Sequence, residues 1–331
     1  GPLEGTVRID ICVVGGGYSG LTTAIELRRR GHEVVLLEAQ EAGFGGSGRN
    51  AGHCTPTFSY LTLDDLRSHL GTERANRLIR RQTSGADMAA EYIRDFQISC
   101  EWKQNGYFQG ALSPSRIARI RKKAESYASV GCPSGLVDAE EAKRLTGSER
   151  FFGGWLLRSG GHLNPLAYVR GLASAAKEAG VRIFTQTPLI GITRSAQGHW
   201  LLRTPHGEIT SRKVGLTTNA YGTQVIPARL RKSIVPITSY AVASERLTKE
   251  QRAAVLPSGV NFSDTRRDPM FFRVDTEGRI ITGGLVEPRR GRLTEHTFEG
   301  FTKRLTDLYP VLEGLQWTHH WSGTVGISAR Q

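Results

Sequence analysis

Three glycines near the N-terminus have the spacing of a turn that holds phosphate groups against its backbone. Gly15, Gly17 and Gly20 match the pattern G-x-G-x-x-G. The first glycine permits a tight turn, the second lets a pyrophosphate approach the backbone, and the third lets a helix pack closely on a strand. Glu38 follows at close to the expected separation of roughly 20 residues, where a carboxylate accepts hydrogen bonds from ribose hydroxyls.

The secondary structure predicted around these glycines also fits a phosphate-binding turn. The apolar run Ile9–Val14 predicts a buried parallel strand, Leu21–Arg30 has helical spacing, and Val34–Leu37 predicts a second buried strand. The helix would begin at the glycine turn and direct its free N–H groups and its dipole at the phosphates. The unit therefore predicts a site for the ADP half of a dinucleotide. The neighbouring residues expected at this site are Tyr18, Ser19 and Ala39.

The glycine motif is compatible with two cofactors, FAD and NAD. An acid beside the ribose disfavours NADP, but the glycine pattern alone does not separate FAD from NAD. A second glycine-rich segment, GGSGRNAGH over Gly45–His53, resembles a segment of the FAD-dependent D-amino-acid oxidase superfamily. Weaker matches to the same family follow in the right order along nearly the whole chain. These matches are NP and YVRGL from Asn164, TTNAY from Thr217, PITSY from Pro236, FR, GR and GG from Phe272, and WSG from Trp321.

The resemblance implies that the cofactor is FAD. Residues of the second loop would line the pyrophosphate and the flavin, and the backbone after them would lie near the isoalloxazine ring. Backbone groups of a later segment would lie beside the adenine, and residues of another would lie at the edge of the cofactor. The residues assigned in this way are Ser47, Gly48, Arg49, Asn50, Ala51, Gly52, Leu189, Thr218 and Asn219. For Arg49 the alternative is a charge on a surface loop.

The resemblance also implies oxidation of the C–N bond of an amine or amino acid. Hydride would pass from the α-carbon to flavin N5, and water would hydrolyse the resulting imine. The flavin supplies that chemistry, so no dedicated general base is required. Oxygen or another electron acceptor would reoxidise the flavin, and the sequence does not decide between them.

Three side chains are candidates for the substrate pocket. Arg273 lies on a predicted strand beside aromatic residues, and its planar guanidinium suits a substrate carboxylate. A salt-bridged strand residue is an equally good interpretation of Arg273. Tyr240 could line the same pocket, although strand tyrosines are commonly core residues. His53, at the end of the second loop, is expected to have a packing role or a polar role in the active site.

The order of elements predicts an α/β protein. A Rossmann-like FAD-binding domain of the glutathione-reductase type would be interleaved with a mainly antiparallel β-sheet substrate domain. The predicted FAD-binding domain comprises 7–62, 140–225 and 318–331, and the substrate or cap domain comprises 63–139 and 226–317. Residues 1–5 resemble a remnant of protease cleavage and cloning. In the family a further segment follows WSG, so part of the FAD-binding domain is expected to be missing after Gln331.

Composition narrows the class of protein. The net charge of +13 fits an arginine-rich globular protein, or a positive field that attracts an anionic cofactor or a carboxylate substrate. Nucleic-acid binding is disfavoured because the basic residues are scattered and no recognition motif accompanies them. The four cysteines form no C-x-x-C pair or zinc pattern, so no metal site is predicted and a reducing cytoplasm is expected. No apolar run is long enough to span a membrane.

Two other classes of function remain open from the sequence alone. One is an NAD-dependent enzyme with a Rossmann fold, which the second loop and the later segments disfavour. The other is a truncated or non-catalytic protein with the FAD fold, which the abrupt end at Gln331 favours. The identity of the amine and the oligomeric state are not predicted.

Overall fold

The computed structural model describes residues 1–58, 61–222, 225–266, 269–285 and 295–328. The strands of this part of the chain are β1 Gly5–Val14, β2 Val34–Leu37, β3 His53–Cys54, β4 Tyr107–Gly110, β5 Ser134–Val137, β6 Gly154–Leu157, β7 Gly161–His162, β8 Arg182–Phe184, β9 Gly191–Arg194, β10 Trp200–Arg203, β11 Gly207–Leu216, β12 Ile234–Arg246, β13 Asn261–Asp264, β14 Phe271–Val274, β15 Arg279–Leu285 and β16 Trp317–Ser328. The α-helices are α1 Tyr18–Arg29, α2 Gly46–Arg49, α3 Leu63–Leu70, α4 Thr72–Thr83, α5 Gly85–Asp95, α6 Pro114–Ala128, α7 Ala139–Thr146, α8 Pro165–Glu178, α9 Ala228–Arg231, α10 Lys249–Ala254 and α11 Glu295–Leu308.

A six-stranded sheet holds the glycine turn. Its strand order is β8-β2-β1-β11-β10-β9, with the first four strands parallel and the last two antiparallel to their neighbours. All four residues of β2 are buried, as the apolar run predicted. The helices α1 and α8 pack together against one face of this sheet. The carboxyl ends of β1 and β2 therefore form the edge at which the glycine turn and Glu38 lie.

An eight-stranded sheet forms the second layer, in the order β16-β12-β15-β14-β13-β4-β6-β5. All its neighbouring pairs are antiparallel except β13 and β4, which run parallel. Phe262 in β13 and Phe272 in β14 pack in a hydrophobic core on one face of this sheet. Their neighbours Asn261 and Arg273 consequently belong to the other face, because side chains alternate along a strand. The predicted combination of a nucleotide-binding α/β unit with a mainly antiparallel sheet is confirmed.

The sequence also makes three local predictions, which the structure confirms. They are an N-cap at Asn164, a helical region over Leu63–Phe96 with a break at Gly71-Thr72, and a hairpin around the turn Thr276-Glu277-Gly278. Asn164 caps α8 through its side chain, which accepts a hydrogen bond from the amide of Ala167 at 3.1 Å. The helical region after residue 62 breaks at Gly71 as expected, and it breaks again at Ser84. The strands β14 and β15 pair as the hairpin that the turn before Arg279 predicted.

The alternating residues of Trp102–Gly110 predict a local hairpin with Asn105-Gly106 as its turn, and this prediction is wrong. Lys103 pairs with His162 instead, and β4 pairs with β6 and β13. Gly106 does adopt the positive φ of +91° that a turn of this kind requires, but the chain before it does not return along β4. Pairing with distant strands therefore overrides a strong local turn signal.

The predicted domain ranges stay a prediction, because sheet membership alone does not divide the chain into domains. The strands β6 and β16, which fall in ranges assigned to the FAD-binding domain, belong to the eight-stranded sheet. At the other end, Leu3 is buried and its amide donates to Oγ1 of Thr187 at 3.1 Å, so the first residues pack on the six-stranded layer. Among the residues that the structure describes, no helix is both long enough and apolar enough to cross a membrane.

Candidate dinucleotide and substrate site

The glycine turn is built so that side chains are excluded. Gly15 has a φ of +115°, and its amide donates to the carbonyl oxygen of Leu37 at 2.8 Å. A Cβ added at Gly15 would lie 2.8 Å from Oγ1 of Thr217. A Cβ at Gly20 would overlap the carbonyl oxygen of Gly15 and lie 2.7 Å from the same Thr217 oxygen. The turn therefore presents backbone, which is what a phosphate-binding loop needs.

The second loop meets this turn at Ser47. The hydroxyl of Ser47 accepts a hydrogen bond from the amide of Tyr18, the first residue of α1, at 3.1 Å. A Cβ at Gly17 would lie 2.8 Å from the same oxygen. Ser19, also in the first turn of α1, is exposed. The structure thus brings together the two glycine-rich segments that the sequence singled out.

Glu38 lies against the glycine turn. One carboxylate oxygen accepts from the amide of Gly16 at 2.6 Å, and the other accepts from the amide of Gln40 at 2.9 Å. Ala39, between these contacts, is exposed. The carboxylate is therefore fixed at the carboxyl end of β2, where a ribose acceptor is expected.

Asn50 shapes the loop that follows α2. Its side-chain Nδ2 donates to the carbonyl oxygen of Ser47 at 2.8 Å, and its Oδ1 accepts from the amide of Gly52 at 2.8 Å. Gly48, inside α2, has space for no side chain, because an added Cβ would overlap the carbonyl oxygen of Gly43. The hydrogen bonds of Asn50 hold the segment after α2 in a compact turn.

Arg49 joins this loop to the last strand of the eight-stranded sheet. Its Nε donates to the carbonyl oxygen of Phe44 at 2.6 Å, and its guanidinium lies 4.7 Å from the centre of the Phe44 ring. Its NH1 donates to the carbonyl oxygen of Ser322 at 3.1 Å. In return, Nε1 of Trp321 donates to the carbonyl oxygen of Arg49 at 2.8 Å. These contacts attach Arg49 to β16, and its role at the cofactor stays a prediction.

Arg273 contacts the backbone of the same loop from β14. Its Nε donates to the carbonyl oxygen of Ala51 at 2.6 Å, and the side chain is only 5% exposed. Gly52, with a φ of +80°, lies directly against the guanidinium, since an added Cβ would be 3.0 Å from NH2. Burial lowers the pKa of Arg273 to about 10, and Asp275 and Glu101 oppose that shift. Arg273 therefore remains a cation at neutral pH.

His53 follows this loop and lies in a buried polar cluster. Its Nδ1 forms a hydrogen bond with Oδ1 of Asn261, and its ring meets the Phe271 ring edge-on at 5.2 Å. Burial, with Arg273 as the second cause, lowers the pKa of His53 to about 3. The partner of His53 in the β3–β7 pair is His162, which lies 3.2 Å from the carbonyl oxygen of Gly259 through Nε2 and whose pKa burial lowers to about 4. Both imidazoles are neutral at physiological pH.

A cavity of about 560 Å³ lies between the second loop, the start of α8 and the β14–β15 hairpin. Its volume falls in the range of small-molecule pockets, roughly 300–1,000 Å³. Residues of these three elements line it together with the segment before the second loop, Glu101 and Trp321 of β16. The full lining is Glu41, Ala42, Gly43, Phe44, Gly48, Arg49, Asn50, Glu101, Asn164, Pro165, Leu166, Arg170, Arg273, Asp275, Ile281 and Trp321. The predicted Arg49, Asn50 and Arg273 therefore share one cavity.

Other predicted residues lie elsewhere. Tyr240, on β12, pairs with Gly284 of β15 and Ser322 of β16, outside the lining of that cavity. Leu189 places its side chain in the core of the six-stranded layer, which leaves its backbone as the part open to a ligand. Thr218 and Asn219 begin a short 3₁₀ helix after β11, and Asn219 has a φ of +47°.

Sequence reasoning missed the polar partners of the predicted residues. Asn261 binds His53, and Glu101 accepts from Oγ1 of Thr276 at 2.7 Å and from Nδ2 of Asn164 at 3.2 Å. Asn261 is fully buried in a strand with the sequence NFSD, which has no apolar alternation to reveal it. Glu101 has a φ of +57°, an uncommon backbone conformation that the sequence does not signal.

The residues present fit a dinucleotide. Side chains are sterically excluded at Gly15, Gly17 and Gly20 by neighbouring protein atoms, so the three glycines of the dinucleotide motif are structurally required. The first N–H groups of α1 have no partner within the helix, which suits a pyrophosphate. The 560 Å³ cavity beyond α2 provides a separate space lined by Arg49 and Arg273.

Comparison with known proteins supports the same identification. The family of FAD dependent oxidoreductases abbreviated DAO matches residues 10–330. Gamma-glutamylputrescine oxidoreductase of Escherichia coli (strain K12) is 29% identical over 322 residues, which cover 97% of this chain and 74% of that protein.

Solved structures show the same fold. L-proline dehydrogenase from P. horikoshii aligns with a TM-score of 0.79 at 20% identity, covering 97% of this chain and 82% of that one. Glycine oxidase from Geobacillus kaustophilus aligns with a TM-score of 0.76 at 18% identity, covering 98% and 84%. FAD is confirmed as the cofactor in place of NAD, and the protein belongs to the DAO family of FAD-dependent oxidoreductases.

Proposed function

We propose that this chain oxidises the C–N bond of an amine or amino acid. The observation that carries the proposal is the contact of Arg273 with the carbonyl oxygen of Ala51, which places a buried cation at the loop predicted to lie near the flavin. The relatives named for gamma-glutamylputrescine, L-proline and glycine support an amine or amino acid as the substrate class. FAD supplies the acceptor for the two electrons and the hydrogen that leave the α-carbon.

Arg273 is proposed to bind the carboxylate of the substrate. Its side chain lines the cavity, and its guanidinium can offer parallel N–H groups to two carboxylate oxygens. Because Nε is held by Ala51, the guanidinium cannot rotate freely, so a bound carboxylate has a defined orientation. Glu101 and Asp275, which also line the cavity, supply negative charge suited to a substrate ammonium or polyamine group.

The second loop is proposed to set the geometry of the reaction. Asn50, Arg49 and Arg273 hold its backbone from three directions, which fixes the Ala51–His53 segment relative to the cavity. Pre-organised positioning of this kind lowers the entropic part of the barrier to reaction. No residue in this set needs to abstract a proton from carbon when hydride leaves it. Water then converts the imine product to a carbonyl compound and releases the amine.

The visible spectrum of the purified protein tests this function. The protein is expected to be yellow, or to become yellow on reconstitution with FAD. Anaerobic addition of gamma-glutamylputrescine, glycine, L-proline or D-alanine should bleach the flavin band for at least one of these amines. The matched control is putrescine, which lacks the carboxylate that Arg273 is proposed to bind. Hydrogen peroxide formed on admitting air distinguishes oxygen from another electron acceptor.

Three outcomes decide between the alternatives. Bleaching by an amine supports the proposed reaction. A yellow protein that no amine bleaches supports a non-catalytic protein with the FAD fold. A colourless protein that FAD does not reconstitute would contradict the proposed activity of this chain.

A further inference from the structure

A second cavity, of about 470 Å³, lies between α1 and α5 and is called the α1–α5 groove. Each side of it presents residues at intervals of three, four and seven positions, which form one face of a helix. These residues are Thr23, Glu26 and Leu27 of α1 with Arg30 directly after it, and Gly85, Met88, Ala89 and Tyr92 of α5. Two turns of helix give the groove a length of about 10 Å. Among the residues that the structure describes, none lines both this groove and the 560 Å³ cavity.

The carboxylate that lines the groove is already compensated. Glu26 accepts a hydrogen bond from the hydroxyl of Tyr92 at 2.5 Å, and its Oε1 lies 3.1 Å from NH1 of Arg29. The guanidinium of Arg29 in turn lies 5.6 Å from the centre of the Tyr92 ring. Glu26 is therefore bound to a cation and to a phenol, and its negative charge does not repel a further anion strongly.

Two cations of the groove have no such compensation. Arg30 and Arg81 line it and are exposed, and neither side chain has an ion pair or a hydrogen bond with the described part of the chain. The hydrogen bond from Tyr92 is the largest cause that lowers the pKa of Glu26, and the charge of Arg30 adds to it. Burial raises the pKa of Tyr92 to about 12, and the charge of Arg81 opposes that rise. Both cations therefore lie close to the same Glu26–Tyr92 pair.

The walls of the groove suit a flat apolar body. Tyr92 and Tyr168 contribute aromatic rings, and Met88 contributes a thioether, which packs well against the edge of an aromatic ring. A volume of about 470 Å³ falls within the range of small-molecule sites. An inorganic anion would leave these walls uncovered, and a neutral aromatic molecule would leave both arginines unpaired.

We propose that the α1–α5 groove binds an aromatic carboxylate. The ring packs against Met88 and the two tyrosines, and the carboxylate accepts hydrogen bonds from the guanidinium groups of Arg30 and Arg81. The site is separate from the cavity that contains Arg273 and does not depend on the proposed amine oxidation.

The two methionines of the chain make this binding measurable at a single atom. Met88 lines the groove, whereas Met270 is 1% exposed in the core of the eight-stranded sheet. In protein labelled with ¹³C at the methionine methyl groups, 2-naphthoate should shift the Met88 signal with half-saturation at about 1 mM or below. The Met270 signal should not move, and Met88→Leu assigns the two signals. A shift of Met270 without one of Met88, or no shift of either up to 10-fold that concentration, would overturn the proposal.

The contribution of the charges is tested in the same titration. The matched neutral compound 2-naphthamide should bind at least tenfold more weakly, because it cannot form charge-assisted hydrogen bonds. Arg30→Gln and Arg81→Gln should each raise the half-saturating concentration of 2-naphthoate about tenfold. The control Arg74→Gln, at an exposed position of α4 outside the groove, should leave it unchanged. Equal binding of the acid and the amide, or unchanged binding in both arginine variants of the groove, would contradict the proposed recognition.

A last variant separates this site from the proposed substrate site. Arg273→Lys should leave the shift of Met88 by 2-naphthoate unchanged, because Arg273 lines the other cavity. Failure of every amine to bleach the flavin would end the proposed oxidation and would not affect the Met88 titration. A loss of the Met88 shift in Arg273→Lys would mean that 2-naphthoate acts from the substrate cavity, and the groove would be wrong as its site.

Discussion

The glycine turn and the His53–Arg273 cluster form two parts of the candidate site and are built by opposite means. The turn depends on missing side chains in one short segment, and any Cβ added at Gly20 meets backbone. The cluster depends on buried polar side chains that are distant in the chain from the loop they contact, since Asn261 is 208 positions from His53 and Arg273 is 222 positions from Ala51. A local motif can therefore specify the first part, whereas only the assembled sheets specify the second.

The largest expected effect comes from placing a side chain in the turn. Gly20→Ala should lower the free energy of unfolding by about 4 kcal/mol and abolish FAD binding, because the new Cβ overlaps the Gly15 carbonyl. Urea denaturation and the visible spectrum measure the two effects. The control Gly85→Ala, in α5, has no atom within 4 Å of the added Cβ and should be close to neutral. A yellow, stable Gly20→Ala protein would contradict the steric account of the turn.

Acid should destabilise the cluster that contains His53 and Arg273. His162 is buried and its pKa is lowered to about 4, so the unfolded chain binds more protons than the folded one below the ordinary histidine pKa. The stability associated with neutral His162 is present above about pH 6.5 and is lost as the pH falls towards 4, by about 3 kcal/mol. Urea denaturation at several pH values should show this loss, and His162→Gln should make it smaller without abolishing it, because His53, whose pKa is lowered to about 3, contributes a loss of the same sign over the same pH range. The exposed control His206→Gln should not change the slope. An identical slope in His162→Gln would contradict the burial of a neutral imidazole.

Replacing the cation of the cluster should separate charge from geometry. Arg273→Lys keeps a positive charge but lacks the Nε that binds Ala51, so the loop and the substrate carboxylate lose their common support. We expect kcat/KM for a carboxylate-bearing amine to fall about 30-fold, or about 2 kcal/mol. The control Arg212→Lys, an exposed arginine near Asp10, should have no effect. Full activity in Arg273→Lys would mean that a positive charge alone is enough at this position and that the guanidinium geometry is not needed.

The contact that joins the two glycine segments should have the smallest effect. Ser47→Ala removes the acceptor for the Tyr18 amide, which resembles the loss of a helix cap. We expect a loss of about 1 kcal/mol in stability and a severalfold weaker affinity for FAD. Ser68→Ala, at an exposed position of α3, is the control. An unchanged FAD affinity in Ser47→Ala would show that the two loops bind the cofactor independently.

These differences explain what could be predicted from the sequence. The β1–α1–β2 unit was predictable because apolar runs, a glycine turn and an acid all lie within 40 residues. The N-cap at Asn164 was predictable for the same reason, since the cap and its helix are adjacent. In both cases the residues that form the feature are close together in the sequence, so a local pattern reveals it.

The polar cluster could not be predicted because its contacts join distant residues. Asn105-Gly106 favoured a local hairpin, yet β4 pairs with β13, and that pairing brings Asn261 to its place in the sheet. Asn261 itself looks like an ordinary polar residue until its strand is buried between β14 and β4. Arg273 was identified by its residue type and its aromatic neighbours, but its contact with Ala51 spans 222 positions.

The bond between Trp321 and Arg49 has a consequence for the order of folding. It joins residues 272 positions apart, so the loop after β2 cannot complete its hydrogen bonds until β16 has been synthesised. The glycine turn also needs Thr217 from the end of β11, but it can form well before the chain reaches the last strand. Contacts of such long sequence separation form slowly, because a large loop must close before they contribute stability. The nascent protein should therefore form the site for the ADP moiety first and complete the hydrogen bonds of the second glycine loop only after β16 has been synthesised.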